Sequence, residues 1–334
     1  MAEAPEYPIK DRLMDRRSSL ERALVSAPGE PELERLLAEV DAALERTEKG
    51  TYGLCEVCHE TIEKDRLAAD PLCRFCLGHM SPSQQQALEQ DLDLAAQIQS
   101  ALLPPQGCTA AGWDTAYYYE GAGPISGDYC DLLPAGEALY FLVGDVSGKG
   151  IASSMLTGHL HATFQALVPL NLALDEIMAR ASRMLCESTL PTYFATLICG
   201  RAHSDGKVEM CIAGHNPPIL ASRRDASAME ATGLPIGLFC EEKFSVRTFE
   251  LAQGDIILAY TDGLTEAVDP SGVQYGTDRI VRFVGEHRSL SPSNLVSACV
   301  RDLKNFTSGA PSRDDVTIMV VRRTSGGPDN RRKC

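Results

Sequence analysis

The stretch Ala138-Leu-Tyr-Phe-Leu-Val-Gly-Asp-Val-Ser-Gly-Lys-Gly150 runs an apolar segment into a glycine and an aspartate. A short apolar run bounded by turn residues reads as a buried strand, so Asp145 stands at a strand's mouth just before a helix. A carboxylate there is costly unless it is paired or coordinates a cation. The device recurs along the chain. Asp255-Ile-Ile-Leu-Ala-Tyr260 ends in Thr261-Asp262-Gly263, and Arg313-Asp314-Asp315 immediately precedes Val316-Thr-Ile-Met-Val-Val321. A fourth acidic motif, Ser126-Gly-Asp-Tyr-Cys-Asp131, adjoins a further strand. Converging carboxylates would repel one another, and a divalent cation resolves that repulsion. With oxygen donors only, a hard ion such as Mg²⁺ or Mn²⁺ is favoured over zinc. Asp128 and Asp131, Asp145, Asp262, and Asp314 and Asp315 are the acidic residues these motifs supply. Each site has a bland alternative: a plain Asp-Gly turn at 262–263, a strand cap, or a pair with Arg313. Gly144 to Lys149 does not have the spacing of a nucleotide-binding P-loop, and Gly150 stands where Ser or Thr must hold magnesium.

Outward from these motifs, apolar runs are expected to form strands at 115–119, 138–144, 193–200, 207–213, 255–260 and 315–322. Helical patterns occupy 151–168, 173–188, 276–287 and 292–306. Mixed clusters of this kind predict an α+β layered domain of about 210 residues. Before it, Ser83 to Leu103 reads as one helix with an apolar stripe of Leu88, Leu92, Ala95, Ile98 and Leu102, stopped by Pro104-Pro105. So narrow a stripe needs a partner helix, from this chain or from a second copy. Residues 1–50 read as a helical hairpin. One stripe is Leu33, Leu36, Leu37, Val40 and Leu44, the other Ile9, Leu13, Leu20 and Leu24, and Ser26-Ala-Pro-Gly-Glu-Pro31 reverses the chain. The last ten residues, 325–334, read as a tail.

Cys55-x2-Cys58 and Cys73-x2-Cys76 supply four thiolates able to close a tetrahedron around one structural Zn²⁺. His59 and His79 are candidate substitute ligands, but with four cysteines at hand they read as surface residues. The remaining cysteines show no paired spacing and read as small core hydrophobes rather than disulfides.

The whole chain has 334 residues, with 31 Lys and Arg against 46 Asp and Glu, a formal charge of −15. That balance disfavours direct nucleic-acid binding and an anionic membrane surface. No run approaches the ~20 apolar residues of a membrane span. The first residues carry no apolar segment of signal-peptide type, so the reading places the protein in the cytoplasm.

Two families are resembled. Ala43 to Cys58, with Glu60-Thr-Ile62, Arg66-Leu67 and Asp70-Pro71, is similar to the zinc finger of the TraR/DksA family over about residues 33–80. The hairpin here is short and lacks paired aspartates at its turn, so the resemblance implies the zinc-binding fold. RNA polymerase binding through this module, without catalysis, is the alternative function. The set Gly127-Asp-Tyr-Cys-Asp131, Gly144 to Gly150, Ala213-Gly-His-Asn-Pro-Pro218, Gly233-Leu-Pro-Ile-Gly237, Tyr260 to Glu266 and Asp314-Asp-Val-Thr317 resembles the SpoIIE/RsbU branch of the metal-dependent PPM-type Ser/Thr phosphatases. It implies a four-layer α/β/β/α sandwich over residues 112–324, preceded by a linker helix at 82–104 and the zinc finger at 51–80. It also implies two Mn²⁺ or Mg²⁺ ions. Asp145 would bridge them, the Val146 carbonyl would assist, Asp262 and Asp314 would complete the cluster, and Asp128 would act partly through water, with Asp315 and Asp131 as weaker candidates. Lys149 would be a phosphate contact. The histidine that eukaryotic relatives carry two residues after the bridging aspartate is Ser147 here. His215 reads as a turn-fixing residue. The implied partner is a phosphoprotein of the STAS-type anti-sigma-factor antagonist class, while the apolar stripe of the linker helix points to a second copy of the chain.

Overall fold

The computed structural model describes residues 9–26, 29–80, 82–231, 233–310 and 312–324. The expected tail at 325–334, the first eight residues of the hairpin and its turn residues Ala27 and Pro28 lie outside them. The chain forms two compact units, one ending at Asp91 and the other beginning at Leu92.

In the first unit, α1 (Ile9–Ser26) and α2 (Pro31–Glu48) pair along the expected stripes. Leu13, Val40 and Ala43 are buried, with Leu20 and Leu44 against them. Pro31 opens α2 at a position whose amide lacks a helical partner in any case. Arg17 Nε donates to Asp41 Oδ1 at 2.7 Å across the pair. A short helix, α3 (Lys64–Ala69), lies within the cysteine-rich segment. Helix α4 (Pro82–Leu102) follows as one uninterrupted element. Its half-buried residues include Leu88, Leu92, Ala95 and Leu102, as the stripe predicts. Ile98 does not follow the stripe: it is 58 % exposed, beside Leu94 at 57 %.

The second unit runs β1 (Thr109–Ala110), β2 (Trp113–Glu120), β3 (Asp128–Ala135), β4 (Ala138–Val146), α5 (Ile151–Leu167), α6 (Leu174–Ser188), β5 (Ala195–His203), β6 (Lys207–Ala213), β7 (Ile219–Ala221), β8 (Ala226–Ala228), β9 (Arg247–Glu250), β10 (Ile256–Tyr260), α7 (Asp262–Thr265), α8 (Thr277–His287), α9 (Pro292–Phe306) and β11 (Val316–Arg323). One sheet has the order β1-β2-β11-β10-β7-β8 and the other β3-β4-β5-β6-β9. Every named strand pairing is antiparallel.

Alternation along each strand builds three apolar layers. Trp113, Tyr117, Ile257, Ala259, Met319 and Val321 of the first sheet meet Leu132, Leu139, Phe141, Val143, Ile198 and Ile212 of the second. The opposite face of the second sheet packs on α5 and α6 through Tyr140, Leu142, Leu160, Phe164, Ile177 and Leu185. The opposite face of the first packs on α8 and α9 through Leu258, Ile318, Ile280, Val284, Leu295 and Cys299. The result is the expected α+β sandwich of four layers.

One expectation is corrected. Cys186 of α6 and Cys240 are joined as a disulfide, with Cα atoms 5.4 Å apart, inside the range that a bridge requires. The two stand 54 residues apart in sequence, so spacing alone gives no sign of the pairing. Among the described residues, no helix is long and apolar enough to cross a membrane.

Candidate active site

The acidic motifs meet at one end of the space between the sheets. Asp128 and Asp145 are register partners on β3 and β4. Along β3, Cys130 and Leu132 face the other sheet, and along β4 so do Leu139, Phe141 and Val143. A period of two therefore turns Asp128 and Asp145 the same way. From the facing sheet, Asp262 opens α7 directly after β10, while Asp314 and Asp315 immediately precede β11. Gly263 permits this approach, because a Cβ there would collide with the Asp315 carbonyl.

Proximity is visible in the electrostatics. Burial pushes the Asp145 carboxyl up to about 7, helped by repulsion from Asp262, Asp314 and Asp315 and opposed by Lys149. Asp262 is raised by burial and then by Asp314 and Glu266. Burial lifts Asp128 well above the usual carboxylate range, against the hydroxyls of Thr317 and Thr261, with Asp145 and Asp315 adding repulsion. Lys149 Nζ stands 3.0 Å from Asp314 Oδ2, on a side chain that is 70 % exposed.

The donor set fits a hard divalent cation: oxygen ligands only, partly desolvated, and mutually repelling without positive charge between them. Gly127 adds room, since a Cβ there would sit 3.2 Å from the Val146 carbonyl oxygen and 3.4 Å from Asp145 Oδ1.

Two of the weaker candidates have other tasks. Asp315 Oδ1 accepts from the Ala122 amide and Oδ2 from the Gly127 amide, each at 2.7 Å, which ties the 121–127 loop to the site. Asp131 lies on the far face of β3. It accepts from Tyr129 Oη and the Leu132 amide and pairs with His161 Nδ1 at 2.9 Å, so it does not join the group.

His215 is buried, with Nδ1 2.7 Å from Thr196 Oγ1 and Nε2 3.0 Å from the Tyr260 carbonyl. Burial lowers it to about 4. A neutral imidazole with its proton on Nε2 suits both bonds, and it links β5 to the end of β10. Sequence reasoning did not single out three residues that organise this end of the molecule. Thr261 and Thr317 both donate to Asp128. Gln99 on α4 donates to the Ser126 carbonyl and accepts from the Ser126 amide. Strand alternation could have found the two threonines, which share the inward face with Ile257, Ala259, Met319 and Val321.

In the cysteine-rich segment, the ligand atoms of Cys55, Cys58, Cys76 and His79 all lie within 4.8 Å of one another. His79 Nδ1 is 3.2 Å from Cys76 Sγ. Cys73, expected as the fourth ligand, lies outside this group; its thiol donates to the Phe75 carbonyl at 3.3 Å. Three thiolates and an imidazole fit Zn²⁺ as well as four thiolates do. Among the described residues this is the one group of three or more Cys, His, Asp or Glu drawn so close.

Comparison with known proteins agrees with both resemblances. The family described as "Stage II sporulation protein E (SpoIIE)" matches residues 135–324, more than half of the chain. The "Prokaryotic dksA/traR C4-type zinc finger" matches residues 50–78. Phosphoserine phosphatase RsbU of Bacillus subtilis is 24 % identical over 242 residues, covering 72 % of each chain. The crystal structure of the RsbU and RsbW domains of Rv1364c from Mycobacterium tuberculosis superposes with a TM-score of 0.59 at 28 % identity. That match covers 68 % of this chain and 63 % of that one. The SiaA-PP2C domain of Pseudomonas aeruginosa superposes with a TM-score of 0.64 at 18 % identity, over 73 % of this chain and 99 % of that one; it shows the shared fold. The two-sheet sandwich, the acidic end between its sheets and the family match agree, and the chain belongs to the SpoIIE family of PPM-type protein phosphatases.

Proposed function

We propose that the protein is a divalent-metal-dependent phosphoserine and phosphothreonine phosphatase of bacterial signalling. The observation that carries this reading is the convergence of Asp145 from one sheet and Asp262 and Asp314 from the facing one at one end of a PPM-type sandwich.

Mn²⁺ or Mg²⁺, two ions by family likeness, supplies an acidified water and neutralises phosphoryl oxygens when bound. Asp145 and the Val146 carbonyl would hold the ions from β4, Asp262 and Asp314 from the facing sheet, and Asp128 from β3. Exposed Lys149, paired with Asp314, is free to turn toward an arriving phosphate dianion. Ser147 stands where eukaryotic relatives have an acid, and its hydroxyl accepts from the Phe194 amide at 3.0 Å. The leaving alkoxide is then left to take its proton from water.

The phosphoprotein we assign by family likeness is a small STAS-type anti-sigma-factor antagonist in the cytoplasm. The Leu94 and Ile98 face of α4 supports a homodimer through the linker. Leu94→Glu combined with Ile98→Glu should then give a monomer by light scattering, and an unchanged mass would remove that contact. The zinc unit and the linker helix would regulate or dimerise the phosphatase. Full-length protein with Mn²⁺ should hydrolyse a phosphoserine peptide, and Asp145→Ala or Asp262→Ala should lower the rate at least ~100-fold. Full activity in either variant would overturn the assignment.

A further inference from the structure

Asp128 is 3 % exposed, and Thr261 and Thr317 are wholly buried. Thr261 Oγ1 donates to Asp128 Oδ2 at 2.8 Å and Thr317 Oγ1 donates to the same oxygen at 2.6 Å. The threonines are themselves fixed. The Thr317 amide donates to Thr261 Oγ1 at 2.9 Å, and the Thr261 amide donates to the Thr317 carbonyl at 3.1 Å. Because Thr261 Oγ1 already accepts that amide, its own proton is left to point at the carboxylate. Among the described residues no donor reaches Asp128 Oδ1.

These three side chains do not belong to one sheet. Asp128 begins β3, whereas Thr261 follows β10 and Thr317 is the second residue of β11. The cluster thus ties the two sheets together where the apolar layer between them ends. Each threonine is also adjacent in sequence to the acidic motifs: Thr261 immediately precedes Asp262, and Thr317 lies two residues after Asp315. A buried carboxylate kept for stability alone is a poor choice, because apolar groups of similar size fill such a place at lower cost. A carboxylate with one oxygen clamped and the other left open is suited to present that second oxygen in a fixed direction.

We propose that Thr261 and Thr317 are positioning residues for the phosphatase site. Their hydroxyls clamp Asp128 Oδ2, set the gap between the sheets, and so hold the carboxylates of the two sheets at the spacing that divalent cations require. This rests on the metal-dependent reading above and goes beyond it by assigning the site a support of its own. The clamp acts before any substrate arrives, so it governs cation affinity and turnover rather than peptide binding.

The test uses full-length protein and Mn²⁺, titrated calorimetrically, with phosphoserine-peptide kinetics alongside. Thr317→Val and the double variant Thr261→Val with Thr317→Val keep side-chain size and remove the donors. The single variant keeps one donor and remains informative if the double variant does not fold. Expected is a loss of ~10–100-fold in Mn²⁺ affinity, the scale for groups that orient metal ligands, with kcat falling and peptide KM within about twofold of the wild type. Thr317→Ser, which retains the hydroxyl, should recover most of the affinity. Wild-type Mn²⁺ affinity in folded Thr317→Val would overturn the proposal, and so would a serine variant no better than the valine one. If the wild type itself binds Mn²⁺ without metal-dependent turnover, the phosphatase reading fails while the clamp is still judged by the titration.

Discussion

Asp145 is the residue at which burial, repulsion and cation binding act together. Its carboxyl is lifted to about 7, by burial first and by three neighbouring aspartates second. The folded protein therefore keeps a proton that the unfolded chain, titrating near 3.9, has released. Stability from this group is fully present below about pH 4 and is lost as the pH rises through 7. Asp145→Asn removes the charge without changing the shape. Without metal, the variant should melt a few degrees above the wild type at pH 8, the scale that about 1 kcal/mol gives in a domain of this size. At pH 5 the gap should be smaller, and below about pH 4, where both states of Asp145 are protonated, it should close. Thermal scans at both pH values check this, and identical melting at pH 8 would mean that neither burial nor repulsion penalises the Asp145 charge. The acidic motifs were legible because each ends or begins an apolar run. Their supports were less so. Asp128 meets its hydroxyl donors across 133 and 189 residues of chain, and only the alternation of Thr261 and Thr317 with inward apolar residues hints at it. Asp315 and Asp131 share the residue type of the ligands, yet backbone amides claim one and His161 the other.

At the scale of elements, strands with a strong period or a fully apolar run were readable to within a few residues. The runs at 207–213 and 255–260 are β6 and β10 almost to the residue. Strands β7, β8 and β9 are three or four residues long, too short to display a period, and tertiary pairing alone defines them. The two knuckles were legible as a four-cysteine metal motif, which the C4-type family match supports, while the geometry draws His79 rather than Cys73 toward the other three. The geometry makes the choice testable. His79→Ala should lose zinc during dialysis against a chelator, with affinity down ~10-fold or more, whereas Cys73→Ser should keep it. Metal analysis of the two dialysed proteins is the readout; loss from Cys73→Ser alone would restore the four-cysteine site. The Cys186–Cys240 bridge was invisible to spacing, because α6 and the 233–246 segment meet only in the folded sandwich.

Over the whole molecule, an acidic chain with a formal charge of −15 divides into a small unit built around the zinc motif and a large one built around two sheets. The small unit has few buried apolar residues, so a metal staple substitutes for core. The large unit has three apolar layers and can hold charged groups at its edge. We propose that the boundaries at 50, 80, 104 and 112 separate hairpin, finger, linker and phosphatase in function as well. The central claim is that carboxylates from opposite sheets share divalent cations. It is tested most directly by calorimetric titration of Mn²⁺ into zinc-loaded, full-length wild-type protein and into Asp145→Asn. About two Mn²⁺ per chain are expected for the wild type, beyond the zinc, with affinity reduced by at least ~100-fold in the variant. Identical isotherms for the two proteins, or no Mn²⁺ uptake by the wild type, would contradict it.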